Sequence, residues 1–153
     1  MQKAQERTYV MIKPDGVHRG LVGTIIQRFE NRGYKLIALK MVTPSKELLE
    51  NHYSDLKEKK FFPSLIEYML MGPVIAMVWQ GMSVVSTGRK IVGATNPLDS
   101  TPGTLRGDYC IDTGRNIIHA SDKVDAAETE IALWFTPAEI NSWAKHDEKL
   151  IYE

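Results

Sequence analysis

The chain has 153 residues, 43% of them apolar and 25% charged, so one compact core can form without metal or disulfide support. Lys plus Arg equals Asp plus Glu at 19 each, and zero formal charge excludes a global pull towards nucleic acid or an anionic membrane. The one cysteine, Cys110, excludes an intramolecular disulfide and fits a reducing compartment. Met1 to Arg7 holds no apolar run of the signal-peptide kind, and no stretch approaches the roughly 18 apolar residues that span a bilayer. The expectation is a single domain over residues 1–153, cytoplasmic and not membrane-bound.

Thr8 to Lys13 is β-rich and apolar, and reads as a buried strand stopped by Pro14. Asp15-Gly16 and Arg19-Gly20 mark a loop. Val22, Ile25, Ile26 and Phe29 recur at helical spacing, and Gly33 stands where that helix would stop. Tyr34 to Val42 reads as a second strand. Thr43, Pro44 and Ser45 start another helix, through Leu48, Leu49, His52 and Tyr53. After a charged turn, Lys57 to Lys60, an apolar helix runs from Phe61 to Leu70 and breaks at Gly72-Pro73. Val74 to Trp79 is a third buried strand and Val84 to Val92 a short helix. Gly93 to Gly114 is rich in Gly and Pro without a sustained period, and a loop of that length in a small domain is usually functional. Asn116 to His119 reads as a short strand. Ser121-Asp122 is a suitable cap for a helix carrying Val124, Ala127, Ile131 and Trp134 on one face. Thr136 to Glu139 is a capping box with proline at the first helical position. The tail from His146 is polar. Two adjacent helices between the second and third strands suit an α+β sandwich better than a doubly wound sheet.

Among His18, His52, His119 and His146, His119 stands out because it ends a strand just before a helix start. A neutral imidazole held there is a competent nucleophile near neutral pH, and Glu130 on the following helix can orient its ring. Taken alone, a solitary histidine is more often structural. Lys13, Arg89, Arg106 and Arg115 are candidate phosphate ligands, because guanidinium groups fork onto phosphate oxygens. Each is equally readable as a solvated surface charge. Neither GxxxxGK[ST] nor GxGxxG occurs, so any phosphate site uses another design. One cysteine and scattered histidines argue against structural zinc. Tyr53, Phe61, Phe62 and Leu65 lie close together in the helical region and can stack on a base, or simply pack a core.

Asn116-Ile117-Ile118-His119-Ala120-Ser121-Asp122 resembles the signature NxxHGSD of the nucleoside diphosphate kinases. Lys13-Pro14-Asp15-Gly16-Val17, Gly93 to Pro97, Pro102 to Asp108, Phe135 and the terminal Ile151-Tyr152-Glu153 are similar to that family in the same order, from about Arg7 to Glu153. The resemblance implies a ferredoxin-like βαββαβ core with a four-stranded antiparallel sheet and surrounding helices. It implies transfer of a γ-phosphoryl group from a nucleoside triphosphate to a nucleoside diphosphate, ping-pong, through phosphorylated His119. Lys13, Arg89, Thr95 and Arg106 would hold phosphates, with Tyr53 beside Lys13. Asn116 and Lys13 would contact the sugar hydroxyls. Phe61 would stack on the base, with Leu65 and Thr113 near it, and Ser121 and Glu130 would support His119. Mg2+ would be held mainly by the nucleotide phosphates, with no dedicated protein metal site. Stacking without edge contacts implies broad base tolerance. Relatives with this long loop and this ending are typically hexamers built from dimers, in which the terminal glutamate approaches a neighbour's base site.

Two positions depart from the family pattern. Ala120 replaces the glycine after the nucleophile: it costs on the order of 1 kcal/mol if φ is positive there, and otherwise only adds a methyl to the pocket. Thr113 stands where an apolar residue is frequent. Besides a working kinase, the sequence admits a nucleotide-binding regulator or scaffold that lost turnover through Ala120. A nucleic-acid-binding role is disfavoured by the absence of a basic stripe.

Overall fold

The computed structural model describes residues 2–153, with Gln2 and Lys3 as backbone only; the expected domain's first residue, Met1, lies outside the described residues. Among the described residues there are four strands: β1 (Arg7–Ile12), β2 (Lys35–Val42), β3 (Val74–Gln80) and β4 (Ile118–Ala120). They form one sheet in the order β2-β3-β1-β4, with every pairing antiparallel. The helices are α1 (Pro14–His18), α2 (Val22–Arg32), α3 (Lys46–His52), α4 (Phe62–Met69), α5 (Val84–Val92), α6 (Leu105–Tyr109), α7 (Val124–Trp134) and α8 (Glu148–Ile151). This is the ferredoxin-like α+β arrangement expected from the sequence, with α3 and α4 inserted before β3.

The period-2 geometry of strands explains why β1 from Tyr9 to Ile12 and β3 from Val74 to Trp79 are apolar without interruption. Tyr9, Met11, Val74, Ala76 and Val78 face one side, packed on Leu49, Ile66, Met69, Ile131 and Trp134 of α3, α4 and α7. Val10, Ile12, Ile75, Met77 and Trp79 face the other, packed on Ile25 and Phe29 of α2 and Val84 and Val92 of α5. Both faces of the central strands are therefore covered, and neither can alternate with polar residues. Helix α2 ends as its sequence suggests: Gly33 adopts φ 107, and the Tyr34 N–H reaches back to the Phe29 carbonyl at 3.2 Å.

Four expectations need correction. Asp15-Gly16 is not loop but lies in α1, opened by Pro14 at its first turn. Asn116 and Ile117 are not strand: β4 starts at Ile118, and Ile117 has φ 61. Ser121 does not cap α7, whose cap position is Lys123 without a side-chain bond; the Ser121 hydroxyl is spent on Tyr9 and Glu130 instead. The segment from Gly93 to Gly114 is not an irregular loop. It contains a 3-10 turn at Pro97–Asp99, helix α6 and a 3-10 turn at Thr113–Arg115, capped by Asn96, Thr104 and Asp112. Arg28 also ties it to α2 through the Gly103 carbonyl at 2.6 Å and Asp108 at 2.8 Å. The tail likewise docks on its own chain, where the Tyr152 hydroxyl accepts the Met82 N–H at 3.1 Å. The Thr136–Glu139 box does form, Glu139 accepting the Thr136 N–H at 2.8 Å, but it opens only a 3-10 turn. Among the described residues no helix is long and apolar enough to cross a membrane.

Candidate active site

Strand β4 is short and lies at the sheet edge, so a side chain on it is fixed by the ladder yet open to one side. His119 pairs with Met11 in the register, which puts it on the α7 side of the sheet. There its Nε2 stands 3.0 Å from both Glu130 carboxylate oxygens. Glu130 also accepts the Ser121 hydroxyl. Burial pushes the Glu130 pKa up, but the bonds from His119 and Ser121 outweigh it, and the carboxyl sits below its usual value. An ionised Glu130 accepts and does not donate, so it assigns the proton to Nε2 of His119 and leaves Nδ1 with a free lone pair.

His52 lies beside this pair, its ring centroid 4.6 Å from that of His119. Its Nδ1 accepts the Trp134 indole N–H at 3.0 Å. Burial pulls its pKa down to about 3, so it is neutral, with its proton on Nε2. The donor atoms of His52, His119 and Glu130 are mutually within 4.8 Å. That trio nevertheless offers no ion a ready ligand set, because Trp134 occupies one His52 nitrogen and a proton the other.

Three cations surround the open side. Lys13 follows β1 and donates from Nζ to the Asn116 side-chain oxygen at 2.8 Å. It is 8% exposed, and burial, with Arg106 nearby, lowers its pKa to about 8. Arg106 on α6 donates to the backbone carbonyls of Asn116 (3.2 Å), Ala94 (3.3 Å) and Ile118. Burial and the charge of Arg89 lower its pKa to about 10, so it remains cationic at neutral pH. Arg89 on α5 holds the Ala120 carbonyl at 3.1 Å. Among the described residues neither Lys13 nor Arg106 forms an ion pair, and two buried cations with a third close by are expensive unless an anion arrives. The Asn116 amide donates to the Thr95 carbonyl at 3.0 Å, which ties the loop to this group. The Tyr53 hydroxyl is buried and, among the described residues, has no hydrogen-bond partner.

Lys13, Tyr53, Phe61, Leu65, Arg89, Thr95, Arg106, Thr113, Asn116 and His119 all line one cavity of about 560 Å³. Ser121 and Glu130 stand behind His119. A second recess, about 550 Å³, continues past His119 towards Asp122 and Thr129. A larger concavity, about 850 Å³, lies elsewhere around Lys35, Phe135 and Trp143 and includes none of these groups. Every residue that the family resemblance implies as catalytic or nucleotide-binding therefore belongs to one neighbourhood; Phe62, also a candidate for stacking, packs against the core instead. Three neighbours were not singled out: His52, Asp15 and Tyr68. A helical histidine and a core tyrosine carry no local signal, and the sequence pattern places Asp15 in a loop. Arg115, also a candidate phosphate ligand, lines the same cavity, with its guanidinium over the Tyr68 ring at 4.4 Å.

Ala120 is resolved by the backbone. Among the described residues the non-glycine positions with positive φ are Ser83 and Ile117, so Ala120 bears no left-handed strain. Strand alternation sends its methyl into the opposite core, with Val10 and Ile118, away from the face that holds His119.

The sequence profile of the nucleoside diphosphate kinase family matches residues 6–140. The nucleoside diphosphate kinase of Emericella nidulans is 63% identical over 148 residues, 97% of each chain. That of Drosophila melanogaster is 60% identical over 153 residues and all of both chains. Among solved structures, the Halobacterium salinarum nucleoside diphosphate kinase in complex with CDP superposes with a TM-score of 0.95 at 44% identity, covering 97% of this chain and 99% of that one. A family protein from Babesia bovis superposes with a TM-score of 0.94 at 45% identity, covering 96% of this chain and 99% of that one. With the expected fold, the motif residues gathered in one cavity and relatives matched from end to end, the chain belongs to the nucleoside diphosphate kinase family.

Proposed function

We propose that this single-domain chain moves the terminal phosphoryl group of a nucleoside triphosphate onto a nucleoside diphosphate, ping-pong, with His119 as the carrier. The observation that carries the reading is the imidazole with Nε2 donated to Glu130 and Nδ1 left free beside Lys13, Arg89 and Arg106. Nδ1 attacks the γ-phosphorus, the bond to the bridging oxygen breaks, and the nucleoside diphosphate leaves with that electron pair. The imidazole becomes N-phosphorylated and gains positive charge, which Glu130 offsets through Nε2–H. The reverse sequence on a second diphosphate restores the neutral ring. Lys13, Arg89 and Arg106 neutralise the phosphate oxygens, which is most of what phosphoryl transfer asks of a protein. The unpartnered Tyr53 hydroxyl supplies one further donor, and Thr95 lies beside Asn116 on the phosphate side. Asn116 and Lys13 hold the sugar hydroxyls, while Phe61 stacks on the base between Leu65 and Thr113.

Magnesium fits as an ion carried in by the nucleotide. The trio around Glu130 is nitrogen-rich and committed, whereas magnesium favours oxygen and keeps its waters. The exposed Asp122 carboxylate, on the recess shared with His119, would hold it through water. Once bound, the ion neutralises charge that builds on the transferring phosphates.

A hexamer built from dimers is the assembly we propose. Exposed apolar residues on the edge strand β2, Leu39 at 51% and Met41 at 62%, and in the loops, Leu98 at 75% and Ile111 at 78%, support it. The terminal Glu153 would then reach a neighbour's base site. Light scattering at micromolar concentration tests this, and a stable monomer or dimer overturns it. We propose a cytoplasmic location, with which the single thiol of Cys110 is consistent.

The activity is tested by incubation with γ-labelled ATP. The expected product is an acid-labile, base-stable phosphoprotein that any added nucleoside diphosphate discharges. Failure to label, with folded protein, favours the regulatory reading instead.

A further inference from the structure

Ile117 has the least comfortable backbone near the site. Its φ of 61 lies in the left-handed region, which a β-branched side chain rarely enters. The Ile118 N–H bonds the Asn116 carbonyl at 2.8 Å, which closes a three-residue γ-turn of the rare positive-φ kind. The Ile117 side chain is fully buried. Such a turn persists only where its surroundings over-determine it.

The segment after β1 supplies that hold. The Lys13 backbone N–H donates to the Ile117 carbonyl at 2.8 Å. Oδ2 of Asp15 accepts the Ile117 N–H at 3.2 Å. A Cβ on Gly16 would stand 2.9 Å from the Ile117 carbonyl oxygen, so glycine is what lets α1 approach this closely. The other Asp15 oxygen accepts the Tyr68 hydroxyl. Burial and that bond raise the Tyr68 pKa far above the usual tyrosine range, so Tyr68 is a permanent donor.

Asp15 is not among the residues that line the nucleotide cavity, whereas Asn116 and His119 are. Asn116, the first residue of the turn, meets Lys13 Nζ, Arg106 Nε and the Thr95 carbonyl. His119 comes directly after the turn, on β4.

We infer that Asp15 is a positioning residue for phosphoryl transfer, acting with Tyr68. Its carboxylate locks the γ-turn at Ile117, and the turn sets Asn116 against Lys13 and Arg106 and aims His119. The inference rests on His119 being the phosphorylated residue. Releasing the turn shifts the reacting groups by a fraction of an ångström while leaving the Phe61 stack untouched, so the loss falls on the rate and not on nucleotide affinity.

The test compares the parent chain with Asp15→Asn and Tyr68→Phe. Asparagine keeps the size and an acceptor for Tyr68 or for Ile117, but loses the charge and cannot serve both as a carboxylate does. Rapid-mix phosphorylation by labelled ATP at saturation is measured with the KM of the nucleotide, the thermal unfolding curve and the mapped site of the label. Asp15→Asn is expected to slow phosphohistidine formation about 10- to 100-fold, with KM changed by less than about threefold. Tyr68→Phe should show the same split at smaller size, and the double variant should lose less than the product of the two. A purely structural role would lower the unfolding temperature and leave the saturated rate alone. A saturated rate within about twofold of the parent in folded Asp15→Asn overturns the inference, as does a loss lying in KM alone. If Asp15→Asn does not fold, Tyr68→Phe decides on the same criteria. Label on His119 of the parent with an unslowed Asp15→Asn overturns the clamp alone, whereas label on another residue removes His119 and the clamp together.

Discussion

At the His119 end of the cleft the side chains are buried and already bonded, whereas at the Phe61 end they are exposed and largely uncommitted. Lys13, Arg106 and Asn116 are 8%, 3% and 4% exposed, and each makes its hydrogen bonds to this chain before any nucleotide arrives. Phe61 is 53% exposed, and Thr113 beside it is exposed as well. The contrast follows from what each end must do. A phosphoryl group in flight is stabilised by charges that do not need to reorganise. A base bound by its flat face needs only a ring, and every base has such a face. Rigidity is concentrated where atoms react, and tolerance where the substrate varies.

The largest expected effect removes the reacting atom. His119→Ala should abolish phosphoenzyme formation while the unfolding transition stays cooperative. Persistent labelling of that variant would move the chemistry to another residue and dissolve the contrast.

Glu130→Gln tests whether the bonded end is rigid for a reason. It removes a charge-assisted partner of Nε2, a loss of roughly 1.5–3 kcal/mol, which corresponds to about 10- to 100-fold in the rate of phosphohistidine formation. Stopped-flow quench with labelled ATP measures it. An unchanged rate would mean that Glu130 packs beside the ring without orienting it.

Phe61→Ala tests the other end. Stacking on an exposed ring should be reflected in KM, up about 10-fold, with the saturated rate nearly unchanged. Steady-state kinetics with purine and pyrimidine diphosphates also measures the base tolerance, expected within a few decades of kcat/KM. Activity confined to one base would show that Phe61 does not set recognition.

The pH response isolates Lys13. Its pKa of about 8, lowered by burial from 10.5, means that the unliganded cleft loses this charge as pH rises through 8, and KM for nucleotides should climb there. The stability effect has the opposite sign. Between 8 and 10.5 the unfolded chain binds more protons at Lys13 than the folded one, so Lys13 makes folding more favourable as pH rises across that window. A Lys13→Met variant should lack both trends; a KM that stays flat across pH 7–9.5 in the parent would place Lys13 outside phosphate binding.

The smallest effect belongs to Ala120→Gly. Ala120 has no left-handed φ and its methyl packs away from His119, so the rate should change by no more than about twofold, well under the tenfold that 1.4 kcal/mol would give. A rise of orders of magnitude would revive the reading of a chain that lost turnover.

Much of this was legible in one dimension. Uninterrupted apolar runs at Thr8–Lys13 and Val74–Trp79 marked strands covered on both faces. Helical spacing with Gly33 at the stop marked α2. The side chains that make the cavity were recognisable because each lies within or beside a motif, and covalent neighbours share a local signal. Other features depended on residues far apart in the chain. Asp15 and Ile117 are 102 positions apart, and nothing in an aspartate before a glycine announces that it holds a strained isoleucine. His52 and Trp134, 82 positions apart, fix a tautomer that neither residue can choose alone. Gly93 to Gly114 reads as a loop because its caps are single residues and its anchor, Arg28, sits on another helix. Composition and periodicity determine which face a residue buries, since burial is a property each side chain carries with it. Protonation, backbone strain and the last hydrogen-bond partner are properties of pairs, and only the folded chain decides which pairs meet.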